Sequence, residues 1–483
     1  MTDRPEVAGR DGFHRLLLAE WTKLRSVPRW VLTVVATVVV TALVALLVAS
    51  SSNADANEHR VVVGPDGQPV SDEFHFVHQP LPGDGNVTAR VVTQDDSNAW
   101  AKAGVMVKEG TESGSPYAAM MVTPGNGLRL QANFSTDLAG AAEAEPRWLR
   151  LTRSGSEITG YESPDGSVWS KVGMVELDAL PPTVEVGLFV ASPNDVQIHR
   201  QLGSIGVGET PTAGKATFDN VSVVSAQPSK PGAWADLDVG QPGTAGASTE
   251  SDGMFTVTGS GDVASDPPDD DVVLISLSPG VLVAVLAIVA LGVVFATSEY
   301  NRGMIRTTLA ASPRRGPVLA AKAVVIGGTT FVAGLLASVS AFLLAQPILR
   351  ANGYGPPAFP EPSLSDGPVL RAVVGTAAAL ALIAVLSLGA GVILRRSAGA
   401  IAGVLVLLIL PLLVAHALPP GAAAWLMRLT PAGGFAIQQT VDRSETALEP
   451  WAMIGPWAGF GVLCAYTAVT LGVAFWLLRR RDA

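Results

Sequence analysis

The chain has 483 residues, of which 48% are hydrophobic and 15% are charged, and its formal net charge is −10. Because average soluble domains carry about 25% charged residues, this composition excludes an ordinary soluble protein and indicates membrane segments. The charge is unevenly distributed, since residues 51–271 contain 12 Lys and Arg against 31 Asp and Glu, and the rest of the chain is basic. An acidic region of this size argues against nucleic acid as a partner.

Residues 1–29 form a basic segment ahead of the first apolar run, which covers residues 30–50. Within FHRLLLAEWTKLRS the apolar residues recur at helical spacing. This predicts an amphipathic helix that lies along the inner leaflet, the alternative being a plain basic flank. Pro28 is expected to separate this helix from the first membrane helix. The run at 30–50 exceeds the roughly 7 to 15 residues of a signal-peptide core, which predicts a retained transmembrane helix.

Residues 51–271 have the composition of a separate water-facing domain. Short alternating runs such as NVTARVVTQ, AKAGVMVKEG and VEVGLFVAS are separated by Gly, Pro, Asn and Asp, a pattern that predicts an antiparallel β-sandwich. SPDGS is predicted to form the hairpin turn between ITGYE and VWSKV. The single cysteine, Cys464, lies in the last apolar run. The domain therefore has no internal disulfide and depends on its core.

Residues 72–224 resemble the concanavalin A-like lectin/glucanase jelly roll. The resemblance rests on DEFHFVHQPLPGDGNVTARV, WAKAGVMVKE, WLRLTRSGSEITGYESPDGSVWSKVG and ATFDNVSV, in that order. Residues 235–263 resemble the strand that precedes FHFV in such domains, although here they follow the sandwich. We expect them to complete the sheet in a permuted order, because MFTVTG alternates as a strand should and would cover an edge. A fragment of a second copy is the alternative.

A sugar-binding surface on the sandwich would need aromatic side chains beside carboxylates. Its candidate residues are Asp95, Asp96, Trp100 and Trp169. We nevertheless expect Trp100, Trp148 and Trp169 to be core residues, because each stands in a strand-like position beside alternating apolar residues. The absence of an EXDXE-like cluster, of the kind that glucanases of this fold use, argues against glycoside hydrolysis. His75 and His78 are expected on one strand face, and without a third ligand no metal site is predicted.

Five further apolar runs follow the sandwich, and together with 30–50 they predict six membrane helices. A helix of about 20 residues crosses a hydrocarbon core of about 30 Å. The runs cover residues 272–296, 318–346, 369–394, 398–418 and 455–478. Small residues are frequent in GGTTFVAGLLASVSAF and GTAAALALIAVLSLGAG, so close helix packing is expected. No predicted span carries an acidic residue in its interior, which argues against an ion-driven carrier.

The distribution of Lys and Arg predicts the orientation in the plasma membrane. Basic residues concentrate before the first run, after the second and fourth runs and at the end of the chain, whereas the other short connections hold few. Because short cytoplasmic loops retain Lys and Arg, both termini are predicted to be cytoplasmic and residues 51–271 extracellular. The predicted fold class is therefore an α-helical polytopic membrane protein with an inserted all-β jelly roll, and residues 272–483 carry membrane helices two to six.

LLLAEWTKLRS before the first run, SEYNRGMIRTTLAASPRRGPVLAAK at residues 298–322 and the six-span layout resemble the permease subunits of type-two ABC transporters, especially actinobacterial ones. In that family the loop after the second span forms a short coupling helix in a groove of a separate ATPase. The resemblance implies that residues 298–317 contact such an ATPase, the alternative being an ordinary positive-inside loop. The residues implied in the contact are Glu299, Arg302, Gly303, Arg306, Pro313, Arg314 and Arg315.

The chain lacks a GxxxxGK[ST] phosphate-binding loop. No cofactor is therefore predicted in this chain, and ATP and Mg²⁺ would be bound by the partner ATPase. The resemblance implies an exporter subunit that works as a homodimer or as a heterodimer with another permease, and whose sandwich meets an envelope glycan or a partner protein. The alternative is a carbohydrate-binding receptor or adhesin without transport activity, although six spans exceed what an anchor needs.

The last external connection, residues 419–454, also resembles the permease family. In that family the segment before the last span often turns back towards the membrane as short helices. The resemblance implies short helices in LPPGAAAWLMRLTPAGGFAIQQTVDRSETALEPW. Trp425, Leu426 and Phe435 would then suit the membrane interface, and a plain surface loop is the alternative.

Overall fold

The computed structural model of the chain describes residues 12–54, 62–95, 97–141, 147–178, 180–201, 204–227, 232–266, 270–301, 315–441 and 453–480. Within them the chain forms a bundle of helices and a β-sandwich that is inserted between the second and third helices. Residues 302–314, which hold most of the predicted coupling loop, lie outside the described residues.

The helices follow the apolar runs of the sequence. They are α1 Phe13–Ser26, α2 Pro28–Ser51, α3 Val272–Asn301, α4 Arg315–Ala351, α5 Gly367–Leu394, α6 Ser397–Ala415, α7 Pro420–Leu429, a 3₁₀ helix at Pro431–Gln438 and α8 Pro456–Arg480. Within the described ranges, six helices are long and apolar enough to cross a membrane, namely α2 to α6 and α8. This confirms the predicted number of helices with the length and composition of a membrane span.

α1 and α2 are separate helices, as the sequence predicted. Val27 between them has φ −101° and ψ 101°, an extended conformation that ends α1, and Pro28 is the first residue of α2. Proline suits this position, because it has no amide hydrogen to donate and its fixed φ is already helical. α1 buries Glu20 and Leu24, whereas Trp21 is 44% exposed. The helix is therefore amphipathic, and it buries one face against the bundle.

Glycine residues let the helices of the bundle approach one another closely. A Cβ atom at Gly292 of α3 would lie 2.5 Å from the carbonyl oxygen of Ala384 in α5. A Cβ atom at Gly280 would lie 2.6 Å from the carbonyl oxygen of Thr41 in α2. Neither position has room for a side chain. In the segments for which the sequence predicted close packing, a Cβ atom at Gly334 would lie 3.1 Å from the Cα of Ala377, and one at Gly389 would lie 2.8 Å from Thr470 Cγ2.

The segment before α8 folds into the bundle as two short helices. The 3₁₀ helix Pro431–Gln438 is buried along its length and packs against α5 and α8. Trp425 of α7 is 62% exposed, as a position at the bundle surface requires, and Leu426 is partly buried against the core. Phe435 is only 6% exposed and belongs to the bundle core. The prediction of an interfacial Phe435 is therefore wrong, because its helix is inserted between other helices.

The inserted domain is built from short antiparallel strands. They are β1 Val62–Val63, β2 Pro69–Asp72, β3 Phe74–Pro82, β4 Gly85–Gln94, β5 Lys102–Lys108, β6 Tyr117–Thr123, β7 Gly127–Ala132, β8 Thr136–Ala139, β9 Arg147–Ser154, β10 Glu157–Ser163, β11 Ser170–Glu176, β12 Thr183–Ala191, β13 Asp195–Gln201, β14 Ser204–Thr210, β15 Gly214–Ser225, β16 Ala235–Val239, β17 Ala247–Ser251, β18 Met254–Gly259 and β19 Val263–Ser265. β10 and β11 form the hairpin predicted around SPDGS.

Two seven-stranded sheets pack face to face and form the sandwich. The first sheet has the order β11-β10-β9-β4-β15-β18-β17, and the second has the order β16-β3-β12-β5-β6-β7-β8. Their inner faces share one apolar core, in which Val105, Met120 and Leu188 of the second sheet meet Leu149 and Leu151 of the first. This arrangement confirms the predicted antiparallel sandwich.

A third, smaller layer covers the outer face of the second sheet. β1, β2 and β19 form a three-stranded sheet. Beneath it lies a second apolar cluster that includes Phe74, Phe76, Met106, Tyr117 and Phe189. β5 and β6 are consequently buried at every residue, whereas a strand with one wet face alternates between buried and exposed positions.

Residues 235–263 complete both large sheets. β16 pairs with β3 at the edge of the second sheet, β18 pairs with β15 in the first sheet, and β17 then pairs with β18 as the new edge. These strands are integral to the sandwich, which agrees with the permuted strand order that we expected. They do not form a fragment of a second copy.

Candidate functional site

Four charged side chains meet where α1, α3 and α4 converge; we call this group the four-residue ion cluster, and it consists of Glu20, Lys23, Glu299 and Lys322. Lys322 Nζ lies 2.8 Å from Glu20 Oε2 and 2.7 Å from Glu299 Oε1. Lys23 Nζ lies 2.8 Å from Glu20 Oε1 and 2.9 Å from Glu299 Oε1. Each ammonium thus donates to both carboxylates, and the cluster has no net charge.

Burial makes these contacts important for the position of α1. The side chains of Glu20, Glu299 and Lys322 are 4%, 6% and 7% exposed, whereas that of Lys23 is 39% exposed. Removing charges from water costs several kcal/mol per ion, and only close partners offset this cost. Lys322 Nζ also lies 5.0 Å from the centre of the Phe295 ring, a favourable contact for a cation. If α1 left the bundle, Lys322 would lose its contact with Glu20 and would keep Glu299 as its carboxylate partner.

The geometry of α1 explains why Lys23 can take part. Glu20 and Lys23 are three residues apart, a spacing that places both side chains on one face of a helix. Burial would by itself lower the pKa of the Lys23 ammonium, but hydrogen bonds and charge from Glu20 and Glu299 outweigh it. The pKa of Lys23 is therefore raised above 10.5, and the side chain stays charged at neutral pH.

The ion cluster flanks the predicted coupling loop on both sides. Glu299 lies near the end of α3, just before residues 302–314, and Lys322 lies in the second turn of α4, just after them. Arg315 begins α4 and donates from Nη1 to the carbonyl oxygen of Leu478 at 2.6 Å. Of the residues implied in ATPase contact, Arg302, Gly303, Arg306, Pro313 and Arg314 lie outside the described residues.

Glu299 has its partners, Lys23 and Lys322, within its own chain. The other three members of the cluster were not predicted from the sequence. The second span was expected to end at residue 296, but α3 continues to Asn301 and carries Glu299 into the bundle. Lys322 lies within the third apolar run, residues 318–346. An ionisable residue in such a run needs a partner, and that requirement was the signal available for Lys322.

The candidate sugar-binding residues are not brought together. Trp100 is 40% exposed, and the Arg129 guanidinium lies 5.8 Å from the centre of its ring. Trp169 is partly buried, and the Arg150 guanidinium lies 3.8 Å from its ring centre. Arg129 belongs to the second sheet and Arg150 to the first, so the two rings are associated with different sheets.

The three tryptophans lie outside the apolar clusters of the sandwich. The prediction that Trp100, Trp148 and Trp169 are core residues is wrong, because none of them belongs to an apolar cluster of the sandwich. Trp148 lies on the face of β9 opposite to the core, where Arg90 approaches its ring at 5.8 Å. Asp95 Oδ1 accepts a hydrogen bond from the amide of Lys215 at 2.8 Å and thus stabilises a strand end. Asp96 lies outside the described residues.

A second buried ion pair lies inside the sandwich, beneath the three-stranded sheet. Lys108 Nζ lies 2.7 Å from Asp72 Oδ2, and both side chains are fully buried. Asp72 Oδ2 also accepts from the amide of Gly114 at 2.7 Å. Burial lowers the pKa of Lys108, although the charge of Asp72 opposes this effect. Burial likewise raises the pKa of the neighbouring Tyr117 hydroxyl well above 10.0. The pair joins β5 to β2 and fixes the third layer on the second sheet.

His75 and His78 point to opposite faces of β3, which corrects the expectation that they share one face. Residues that differ by an odd number project to opposite sides of a strand. His75 Nδ1 lies 2.7 Å from Asp238 Oδ1, and His78 Nδ1 lies 2.7 Å from Glu185 Oε2. Among the described residues, no group of three or more His, Cys, Asp or Glu side chains could hold a metal ion.

Comparisons with known proteins give no family for the chain. No protein-family profile matches it. No curated protein matches it either.

Several solved structures match part of the chain. A functionally unknown protein of Saccharomyces cerevisiae is 16% identical, with 32% of this chain and 76% of that chain covered and a TM-score of 0.21. The GH43 protein BlXynB of Bacillus licheniformis is 22% identical, with a TM-score of 0.19; the match covers 22% of this chain and only 24% of BlXynB. SCP-B, a peptidase of the eqolisin family, is 9% identical over 39% of this chain and 98% of its own, with a TM-score of 0.25. These similarities identify neither a family nor an activity.

Proposed function

We propose that this chain is the membrane-spanning permease subunit of an ATP-binding cassette exporter that a separate ATPase subunit energises. The proposal starts from the resemblance of LLLAEWTKLRS and of residues 298–322 to type-two permeases. The observation that supports it most is the four-residue ion cluster, which ties α1 to the two helices on either side of residues 302–314.

The proposed mechanism needs a cytoplasmic segment that transmits the movement of the ATPase to the helices without being deformed itself. A motor that pushes on residues 302–314 would act on α3 and α4 at the same time, since the loop connects them. The ion cluster joins these helices to each other and to α1, so all three would tilt together. Bundles of packed helices have discrete arrangements rather than continuous deformation, and a small push can therefore switch them. Opening of an export path between two permease subunits would follow from this tilt.

The helical part of the chain fits this role better than it fits an anchor. A single helix suffices to anchor a sandwich in the membrane. This chain instead has six apolar helices that pack closely at glycine contacts, such as those at Gly280 and Gly292. The separated positions of Trp100 and Trp169 remove one argument for the alternative, a sugar-binding receptor, because that function needs convergent aromatic residues. In the proposed transporter the sandwich lies outside the cell.

Capture of the motor tests this function. The tagged full-length chain is purified from native membranes in mild detergent, and co-purifying proteins are searched for an ATPase with a GxxxxGK[ST] motif. We expect such an ATPase with the wild-type chain and its loss with Arg306→Glu, because charge reversal opposes docking. Arg350→Glu is the matched control, since Arg350 is exposed at the opposite end of α4 and its one ion pair within the described part of the chain is with exposed Glu361. No ATPase with the wild-type chain, or equal capture with Arg306→Glu, contradicts the proposal.

Labelling from one side of the membrane tests the orientation. Cys464 is the single cysteine, so Cys464→Ser gives a cysteine-free background for Ala310→Cys. We expect an impermeant maleimide to label this cysteine only after the cells are opened. Labelling of intact cells would place the loop outside and would exclude contact with a cytoplasmic ATPase.

A further inference from the structure

A cavity lies at the junction between the sandwich and the helix bundle, at the end of the bundle opposite to the ion cluster. Its volume is about 800 Å³. Its walls come from the β1–β2 hairpin and β19 on one side, and from the starts of α3 and α5 and residues 356–362 on the other. The volume lies within the range of roughly 300 to 1,000 Å³ that is typical of small-molecule sites.

The walls of this junction cavity are mainly apolar. The apolar lining includes the prolines of residues 356–362, Phe359, and Val272 and Val273 at the start of α3. Proline-rich walls hold their shape because each ring fixes its own φ angle. The cavity therefore offers an apolar molecule a largely preformed surface, which reduces the entropy lost on binding.

The polar groups of the cavity have one sign of charge. Its lining contains the carboxylates of Asp66, Asp270, Asp271, Glu361 and Asp366, and the described lining residues include no Lys or Arg. Clefts lined by a single sign of charge attract ligands of the opposite sign.

Three of these carboxylates already have partners within the chain. Asp271 accepts from the amide and hydroxyl of Thr440, both at 2.7 Å, and from the first amides of α3. Asp366 accepts from the amide of Ser363 at 2.8 Å, and Glu361 lies 3.3 Å from Arg350. The carboxylates of Asp66 and Asp270 make no hydrogen bond or ion pair with another described residue, and both side chains are exposed at the cavity.

We infer that the junction cavity binds an amphiphilic organic cation, meaning a small molecule with an apolar body and one positively charged head. The apolar body would fill the space between the prolines and the helix starts. The charged head would lie beside Asp66 and Asp270, which line the cavity. The inference concerns binding alone and holds whether or not the chain transports its ligand.

A pair of ions with the same shape tests this inference. Tetraphenylphosphonium and tetraphenylborate have almost the same size and opposite charge. Binding of each to the full-length chain in neutral-lipid nanodiscs is measured by equilibrium dialysis, with empty nanodiscs subtracted. We expect saturable binding of the cation and none of the anion. Equal binding of both ions, or no saturable binding of the cation, overturns the inference.

Variants of the chain locate the bound cation. Asp66→Asn with Asp270→Asn is expected to weaken cation binding about tenfold or more, since each unit charge at close range contributes about 1 kcal/mol even in water and 1.4 kcal/mol corresponds to a factor of ten. Asp195→Asn, at an exposed site on β13, is the control and should leave the affinity unchanged. Ala358→Trp fills the cavity without changing charge and should abolish binding. An unchanged affinity in the double variant places the cation elsewhere and overturns the inference.

Discussion

The sandwich and the helix bundle both bury ion pairs, but they surround them differently. In the sandwich, Lys108 and Asp72 are fully buried between two layers of strands whose register is fixed. In the bundle, the four-residue ion cluster joins three helices, and its Lys23 remains 39% exposed. The Lys108–Asp72 pair has one cation and one anion, so it is either intact or broken. The ion cluster has two ammonium groups for two carboxylates, so α1 can shift slightly while every buried charge keeps a partner.

This difference indicates what each region is built for. A fully buried pair is seldom the most stable choice, because apolar residues of similar size often pack as well. It instead specifies how the third layer sits on the second sheet. The ion cluster specifies a joint between helices and, under the proposed function, transmits movement of residues 302–314.

The largest effect is expected from breaking the sandwich pair. Lys108→Met leaves the Asp72 carboxylate buried without a counter-ion, which typically destabilises a protein by about 3 to 5 kcal/mol. Hydrogen exchange of β5 and β6 in the full-length chain measures this loss. Lys108→Met combined with Asp72→Leu removes both charges and should restore most of the protection. Equal exchange in the single and double variants would show that the pair does not specify the layer.

A smaller effect is expected at the ion cluster. Lys322→Met leaves Glu20 and Glu299 with Lys23 as their shared partner, so the expected loss is about 2 kcal/mol, below the cost of breaking an isolated buried pair. We expect faster hydrogen exchange in α1 and little change in α5. Adding Glu20→Gln balances the charge again and should return α1 to its original exchange rate. Unchanged exchange in α1 after Lys322→Met would contradict its attachment through the cluster.

The two regions should respond oppositely to alkaline pH. The pKa of Lys108 is lowered below 10.5, so the unfolded chain binds more protons between the folded pKa and 10.5, and the contribution of Lys108 to stability rises with pH in that window. The pKa of Lys23 is raised above 10.5, so its contribution is complete below 10.5 and is lost as pH rises through the folded pKa. Thermal unfolding of wild type, Lys108→Met and Lys23→Met across this range measures both trends. Parallel trends would refute the assigned environments.

The smallest effect is expected at an exposed carboxylate. Asp165, in the β10–β11 turn, accepts hydrogen bonds from the amides of Ser167 at 2.8 Å and Val168 at 3.0 Å, which lower its pKa below 3.8. Asp165→Ala should loosen the turn locally and leave the thermal unfolding temperature almost unchanged. The contribution of Asp165 is present above pH 3.8 and is lost only below it, at the folded pKa. Hydrogen exchange of Ser167 and Val168 measures the local change, and faster exchange across the whole sheet would contradict it.

Much of the fold was predictable because its signals are local. The apolar runs predicted six helices, Pro28 predicted the break after α1, and the alternating runs and SPDGS predicted an antiparallel sandwich. The third layer was not predictable, since β1, β2 and β19 cover the second sheet through contacts between residues far apart in sequence. The surface position of Trp148 has a local cause, because a strand residue beside inward-facing apolar neighbours projects to the opposite face. Trp100 and Trp169 lie outside the strands, shortly before β5 and β11, where alternation does not apply.

The candidate site was predictable only in part. Glu299 was identified through a resemblance, but its contact with Lys322 spans two helices and an intervening loop. Its contact with Lys23 spans the whole sandwich in sequence. Glu20 and Lys23 show a local pattern on α1, yet that pattern also occurs on solvent-exposed helices.

ATP hydrolysis by the assembled complex shows whether the ion cluster connects the permease to its ATPase. The full-length chain is reconstituted in nanodiscs with the ATPase captured by it, and the rate of hydrolysis is compared for wild type, Lys322→Met and Lys322→Met with Glu20→Gln. We expect Lys322→Met to lower the hydrolysis stimulated by the permease while the ATPase stays bound, and we expect the double variant to recover it. Stimulated hydrolysis that is identical in all three proteins would contradict the role of the ion cluster as the joint between motor and permease.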